Sequence, residues 1–319
     1  MAALLPLLAL MLAAPHEAKV RETRLVMGTT AEVQVGGLDD ATRAIDAAFA
    51  ALQRVDDSMS LWKPSELQRL NDVGEARVSP DLLAVLQGAL EVAAASEGAF
   101  DPTVEPLVRA SGGFGGAPRH LEKAERERLL RAVGYARIHL DAAAQWVRLE
   151  SDTRLDLGGI AKGYAADLAL RALRDAGAES GLVDLGGSSL GVFGTALTVD
   201  VRDPESTQAP PWASFRARDA AVSSSGGDQR PGHILDPRTG EAARRVLAAT
   251  VVARTGVEAD ALSTAVYVLG AEEGLRLLER SHAQGFVLLR EAGKRVIVTT
   301  SGFAAANQLA VAPGIRVRK

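Results

Sequence analysis

Polar and apolar residues alternate through "RLVMGTTAEVQVGG" (24–37), the period-2 pattern of a strand with one dry face, and the run ends in a glycine turn. The period then becomes helical. In "ATRAIDAAFAALQRVDDSMS" (41–60), Ile45, Phe49, Leu52 and Val55 share one face, with Asp39 and Asp40 available as caps. A second helix is marked over 79–98, with Ser79-Pro80-Asp81 at its start and Gly98 at its stop. "SGGFGGAPRH" (111–120) reads as a flexible surface connection, residues 121–133 as a charged amphipathic helix, and "RIHLDAAAQWVRLE" (137–150) as a hairpin.

Further along, Arg154 to Leu157 reads as a strand that runs into a helix carrying Ala165, Leu168, Ala169, Ala172, Leu173 and Ala176 at helical spacing, stopped by Gly177. "GLVDLGG", "ALTVDVRDP" and "VLAATVVART" are strands, "EADALSTAVYVLG" a helix entered through acidic residues, and "QGFVLLR" and "KRVIVTT" the last strands. "RDPESTQAPPW" is a proline-rich loop. Strands broken by helices without a strict βαβ rhythm predict an α+β fold with mainly antiparallel sheets.

Composition narrows the picture. The chain has 319 residues, 47% hydrophobic and 24% charged, enough for a sizeable core. Its net charge of −4, without a Lys/Arg-rich run, argues against nucleic-acid or anionic-membrane surfaces, which need clustered positive charge. The absence of cysteine excludes disulfides, thiolate metal sites, cysteine nucleophiles and a lipid-modified N-terminal cysteine. Ala2 to Ala14 is apolar but short of the roughly 20 residues of a spanning helix, and small residues follow at Ala13, Ala14 and Ala18. Residues 1–18 therefore read as an export signal, although no Lys or Arg precedes the apolar run. The expectation is an exported, soluble protein of the periplasm or cell envelope, with its domain over 19–319.

Candidate chemistry concentrates in a few stretches. In "RLDLGGIAKGYAAD" a glycine pair lets a backbone approach a ligand, and Lys162 just inside a helix offers a point charge to an anion; a tight turn with a surface lysine explains the pattern as well. Asp260 and Thr264, four apart, share a helix face. They are either ordinary helix-start residues or two oxygen ligands for a hard cation such as Mg²⁺. His233 lies among loop glycines in "GGDQRPGHILDPRTG", where it serves as acid or base or merely as structure. Trp62 and Phe100 fall in loops, either stacking on a flat ring or plugging the edge of the core. Neither a G-x-G-x-x-G nor a Walker loop is present.

Taken in order, "VMGTTAEV", "SMSLWKPSELQRLN", "EGAFDPTVEPLV", "LDLGGIAKGYAAD", "GLVDLGGSS", "SSSGG…GHILDPRTG" and "EADALSTAVYVLG" closely resemble the ApbE family of FAD:protein FMN transferases, from about Arg24 onward. The resemblance implies an ApbE-like, T-fold-related architecture, either one undivided domain or two subdomains with the FAD site between them. It implies an exported, Mg²⁺-dependent enzyme that attaches FMN from FAD to a Thr or Ser of an acceptor protein and releases AMP. The acceptors it implies are electron-transport subunits of quinone reductases, Rnf-type complexes or flavin reductases. By the same resemblance, the Gly159 carbonyl, Asp260 and Thr264 hold the metal. Met27, Trp62, Ala99, Phe100, Asp101, Asp156, Lys162 and Ile234 contact FAD, and His233 is the general base. Two positions depart from the family pattern: Asp184 and Ser188 stand where it often has Asn and Asp, and neither is given a role. A Mg²⁺-dependent FAD pyrophosphatase and a non-catalytic FAD-binding protein are the competing readings.

Overall fold

The computed structural model describes residues 19–206, 209–226 and 234–318; the proposed export signal and His233 lie outside the described residues. The alternating run near the start folds back on itself. β1 (Val20–Val26) pairs antiparallel with β2 (Thr29–Gly36) across Met27–Gly28, both at positive φ (54° and 69°). That is the backbone a two-residue primed turn demands. The hairpin forms one edge of a nine-stranded sheet. In spatial order this continues through β6 (Ser180–Leu185), β7 (Ser189–Phe193), β10 (Ala220–Gly226), β13 (Ala248–Ala253), β14 (Gln284–Glu291), β15 (Lys294–Thr299) and β17 (Arg316–Arg318). Every neighbouring pair is antiparallel except β15 with β17.

Alternation along these strands makes two cores. Val183, Leu185, Ala221, Ala249, Val251 and Val287 face the helices. These are α1 (Ala41–Met59), α3 (Pro80–Ala95), α6 (Ala161–Asp175), α7 (Gly256–Leu269) and α8 (Ala271–Arg280). Leu182, Val192, Val222, Ala248, Phe286 and Leu288 face the other way, against Trp212, Phe215 and Phe303. That side is covered by a three-stranded sheet of β8 (Leu197–Val201), β9 (Ala213–Ala217) and β16 (Ala310–Val311), with α9 (Phe303–Ala306) beside it. The aromatic rings there meet at 5.3–5.7 Å, most of them edge to face, a geometry that adds about 0.5–1.5 kcal/mol per pair beyond burial. A second small sheet joins β3 (Glu75–Arg77), β4 (Ile138–Asp141) and β5 (Trp146–Leu149) next to α2 (Glu66–Val73). A satellite core around Leu107, Leu121 and Leu235 holds α4 (Glu105–Ala110), α5 (Lys123–Leu130) and the hairpin of β11 (Leu235–Asp236) and β12 (Glu241–Ala242).

The expected α+β class and antiparallel pairing are present. One expected strand is not. Residues 154–157 have no strand partner, because their hydrogen bonds go elsewhere: Leu155 N donates to Asn71 Oδ1 at 2.7 Å, Asn71 Nδ2 to the Leu155 carbonyl at 2.9 Å, and Asp156 N to the Pro102 carbonyl at 2.8 Å. A buried side-chain amide takes the place of a neighbouring strand. No helix among the described residues is long and apolar enough to cross a membrane.

Candidate functional site

Two helices approach each other closely enough to build the centre of the site. A Cβ on Gly163 would stand 1.9 Å from the Gly256 carbonyl oxygen, and one on Gly256 2.1 Å from the Gly163 oxygen, so only glycine fits on either side. The contact is locked from both ends. Asp167 of α6 accepts from the Gly256 and Val257 amides at the start of α7, at 2.7 and 3.1 Å. Asp260 of α7 accepts at Oδ2 from the Gly163 amide of α6, at 2.9 Å.

Asp260 is 5% exposed. Its Oδ1 accepts from Ser223 Oγ at 3.0 Å and Ser189 Oγ at 3.2 Å, so all three of these donors are neutral. No ion pair to it exists among the described residues. A buried carboxylate is expensive without a positive partner, and what meets it here is one backbone amide and two serine hydroxyls. Thr264 Oγ1 lies 3.2 Å from where a Gly159 Cβ would be. The Gly163 amide is committed to Asp260, and no backbone hydrogen bond among the described residues ends on the Gly159 carbonyl. A carboxylate, a hydroxyl and a spare carbonyl are donors suited to Mg²⁺, which takes few protein ligands and completes its shell with water and phosphate. Among the described residues no group of three or more His, Cys, Asp or Glu side chains is arranged to hold a metal.

Lys162, one residue before Gly163, donates to Ser188 Oγ at 2.6 Å, in the turn between β6 and β7. Gly186 and Gly187 of that turn have φ of 67° and 69°. The turn abuts the Met27–Gly28 turn through the Gly186 amide, which donates to the Thr30 carbonyl at 2.9 Å. Met27 therefore sits at the same end of the sheet as Lys162. Asp156 accepts from the Gly158 amide at 2.8 Å, shaping the loop that leads to Gly159. Burial pushes its carboxyl above the usual carboxylate range, against the pull of that amide.

The segment 99–101 differs from the exposed aromatic platform the sequence allowed. Ala99 and Phe100 are 0% and 4% exposed, and the Phe100 ring packs 3.2 Å from the Gly159 Cβ position, so Phe100 is core beneath the Gly158–Gly159 loop. Asp101 is equally buried. It accepts from the Thr103 amide (2.9 Å), Thr103 Oγ1 (2.6 Å) and the Tyr135 amide (2.7 Å), while burial pushes its carboxyl up. Trp62, by contrast, is 63% exposed, edge to face with Phe114 at 5.9 Å. Ile234 is half-buried against the main core beside β11. His233 lies outside the described residues.

Sequence reasoning missed the hydroxyls. Ser189, Ser223, Ser225 and Ser263 line the space between Asp260 and Thr264, with Ser225 Oγ 2.8 Å from Ser263 Oγ and 3.5 Å from Thr264 Oγ1. The signal was "SSS" at 223–225, where a central strand has no apolar alternation to explain it.

Comparison with known proteins bears on the family and the fold. The sequence profile of the ApbE family matches residues 27–288. The FAD:protein FMN transferase of Treponema pallidum (strain Nichols) is 34% identical over 299 residues, covering 82% of each chain. That of Rhodobacter capsulatus is 31% identical over 295 residues; the match covers 86% of this chain and only 56% of the relative. The solved structure of Pseudomonas stutzeri flavinyl transferase ApbE, in its apo form, superposes with a TM-score of 0.81 at 25% identity, over 91% of this chain and 96% of its own. A match that takes in both helices of the site and the strand ends they face leaves one assignment: the chain belongs to the ApbE family.

Proposed function

We infer that this chain is an FAD:protein FMN transferase that works with Mg²⁺, moving FMN from FAD to a Thr or Ser hydroxyl of an acceptor protein and releasing AMP. The observation that carries the reading is Asp260: a buried carboxylate held only by neutral donors, next to Thr264 and the Gly159 loop, with Lys162 of α6 donating to Ser188 in the turn beside it. Relatives named FAD:protein FMN transferase support it.

Asp260, Thr264 and the Gly159 carbonyl would hold the cation, which when bound supplies positive charge to the diphosphate and to the departing AMP phosphate. The chain's own groups do the rest. Lys162 offers its ammonium to the phosphates, and the half-buried Asp156 and the buried Asp101 fix the two loops that meet at Gly159. Trp62 and Met27 present side chains to the flavin nucleotide, with Ile234 on the β11 side, between two subdomains of a single domain. His233 takes the proton of the acceptor hydroxyl as its oxygen bonds to the FMN phosphorus, while the bond from that phosphorus to the AMP oxygen breaks. The acceptors are flavinylated electron-transport subunits, and the reaction takes place in the cell envelope after export.

The test is incubation with FAD and Mg²⁺, with and without an acceptor domain carrying a flavinylation threonine, read by acceptor mass and flavin chromatography. The expected result is an acceptor heavier by FMN, equimolar AMP, and loss of both in Asp260→Ala by at least about 100-fold, as removal of a transition-state charge stabiliser predicts. FMN and AMP formed without acceptor would instead identify a pyrophosphatase. FAD bound but unchanged beside a competent acceptor would identify a binding protein.

A further inference from the structure

Ser223 occupies a position that packing alone does not require. It lies on a central strand, is 2% exposed, and stands first of three serines where β-branched residues are favoured. Its single proton has two acceptors, Asp260 Oδ1 at 3.0 Å and the Ser188 carbonyl at 2.9 Å. The backbone carbonyl alone would satisfy a buried hydroxyl; the carboxylate is additional. On its acceptor side, Ser263 Oγ lies 3.3 Å away, and Ser263 also donates to the Asp260 carbonyl at 2.9 Å. Ser223 thus touches both Asp260 and Ser188, the residue whose hydroxyl meets Lys162.

We propose that Ser223 is a positioning residue for the metal. Its hydroxyl, sharing its one proton between the Ser188 carbonyl and Asp260 Oδ1, fixes the rotamer of Asp260 so that the carboxylate lone pairs not taken by Ser189, Ser223 and Gly163 face the cation. The proposal rests on the metal reading above. Hydrogen-bond partners behind a metal ligand set ligand orientation, and their loss typically costs about 10–100-fold in affinity. Ser224 provides the internal control. It points to the opposite face of the same strand, where its hydroxyl meets Thr250 Oγ1 at 2.9 Å, away from Asp260.

Binding of Mn²⁺ to the FAD-free full chain, read from the electron paramagnetic resonance of free Mn²⁺, tests this without any turnover. Ser223→Ala should bind about 10–100-fold more weakly than the unaltered chain at a similar thermal midpoint, while Ser224→Ala should bind normally. Equal affinity in Ser223→Ala and the unaltered chain overturns the proposal and leaves the metal reading intact. If Ser223→Ala does not fold, Ser223→Cys takes its place: it keeps the shape of the side chain but exchanges the hydroxyl for a weakly donating thiol, and unchanged binding there is equally fatal. Failure of the unaltered chain to bind Mn²⁺ any better than Asp260→Ala would overturn the metal reading, and this proposal with it.

Discussion

Gly163 shows how one hydrogen atom in place of a methyl group decides the centre of the site. Helix propensity favours Ala over Gly in a helix by about 1 kcal/mol, so an unconstrained Gly163→Ala would stabilise the chain. Here the added Cβ would meet the Gly256 carbonyl oxygen at 1.9 Å and Asp260 Cβ at 2.8 Å, and the first of these is backbone that cannot swing aside. Overpacking of this kind costs about 1–3 kcal/mol, which outweighs the propensity gain. Gly163→Ala should therefore lower the urea midpoint and also weaken Mn²⁺ binding, because separating the helices takes the Gly163 amide away from Asp260. A raised midpoint would show that α6 and α7 are not in backbone contact. The site was only half legible at this scale. Asp260 and Thr264 are visible through their four-residue spacing, whereas Ser223 makes its contacts across 37 residues to Asp260 and 35 to Ser188, so the serine run at 223–225 marks an oddity without naming its partners.

Elements were legible where their signals are local. Asp40 and Ser79 cap α1 and α3 as their positions predict, accepting from Arg43 N and Leu82 N at 3.1 and 3.2 Å. The 154–157 segment was not, because the partner that replaces a strand is Asn71, 84 residues away from Leu155. Helix α7 combines both cases. Thr255 caps it locally, accepting from Glu258 N at 3.2 Å, while Asp167 caps it from α6 across 89 residues. Burial pushes the Asp167 carboxyl up, and the two α7 amides hold it down. Asp167→Ala would leave the Gly256 and Val257 amides without that acceptor, at a cost of about 1–3 kcal/mol. Hydrogen exchange should localise the effect, with amides at the start of α7 exchanging faster and those of α1 unchanged. Uniform acceleration throughout the chain would mean that Asp167 supports the whole fold and not this junction.

At the scale of the molecule, the small sheet β8–β9–β16 must stay on the outer face of the large one, and besides the aromatic core a charged clasp holds it there. Asp203, just past β8, is 8% exposed at its side chain and meets Arg295 of β15 in a two-pronged pair, at 2.6 Å (Oδ2) and 3.0 Å (Oδ1). Glu205 meets Arg290 of β14 at 2.7 and 2.8 Å, but Arg290 is half exposed, so solvent screening leaves that pair worth little. The Arg295 guanidinium holds the Asp203 carboxyl below the usual carboxylate range, and Arg290 and then Arg295 do the same for Glu205. A carboxyl depressed in the folded state binds protons more readily once unfolded. Its contribution to stability is therefore complete above the unfolded value, near about pH 4, and disappears as pH falls through the lower folded value. Arg295→Leu removes the partner and should cost about 1–3 kcal/mol at pH 7. In acid the cost should shrink, because both carboxyls then take up protons whether or not Arg295 is present, and the stability curves of the two proteins should converge as pH falls through the lowered folded values. Urea midpoints measured from pH 7 down to pH 3 check this directly: parallel curves with a constant offset would mean that Leu at 295 costs packing and not charge, and that the clasp is held by shape alone.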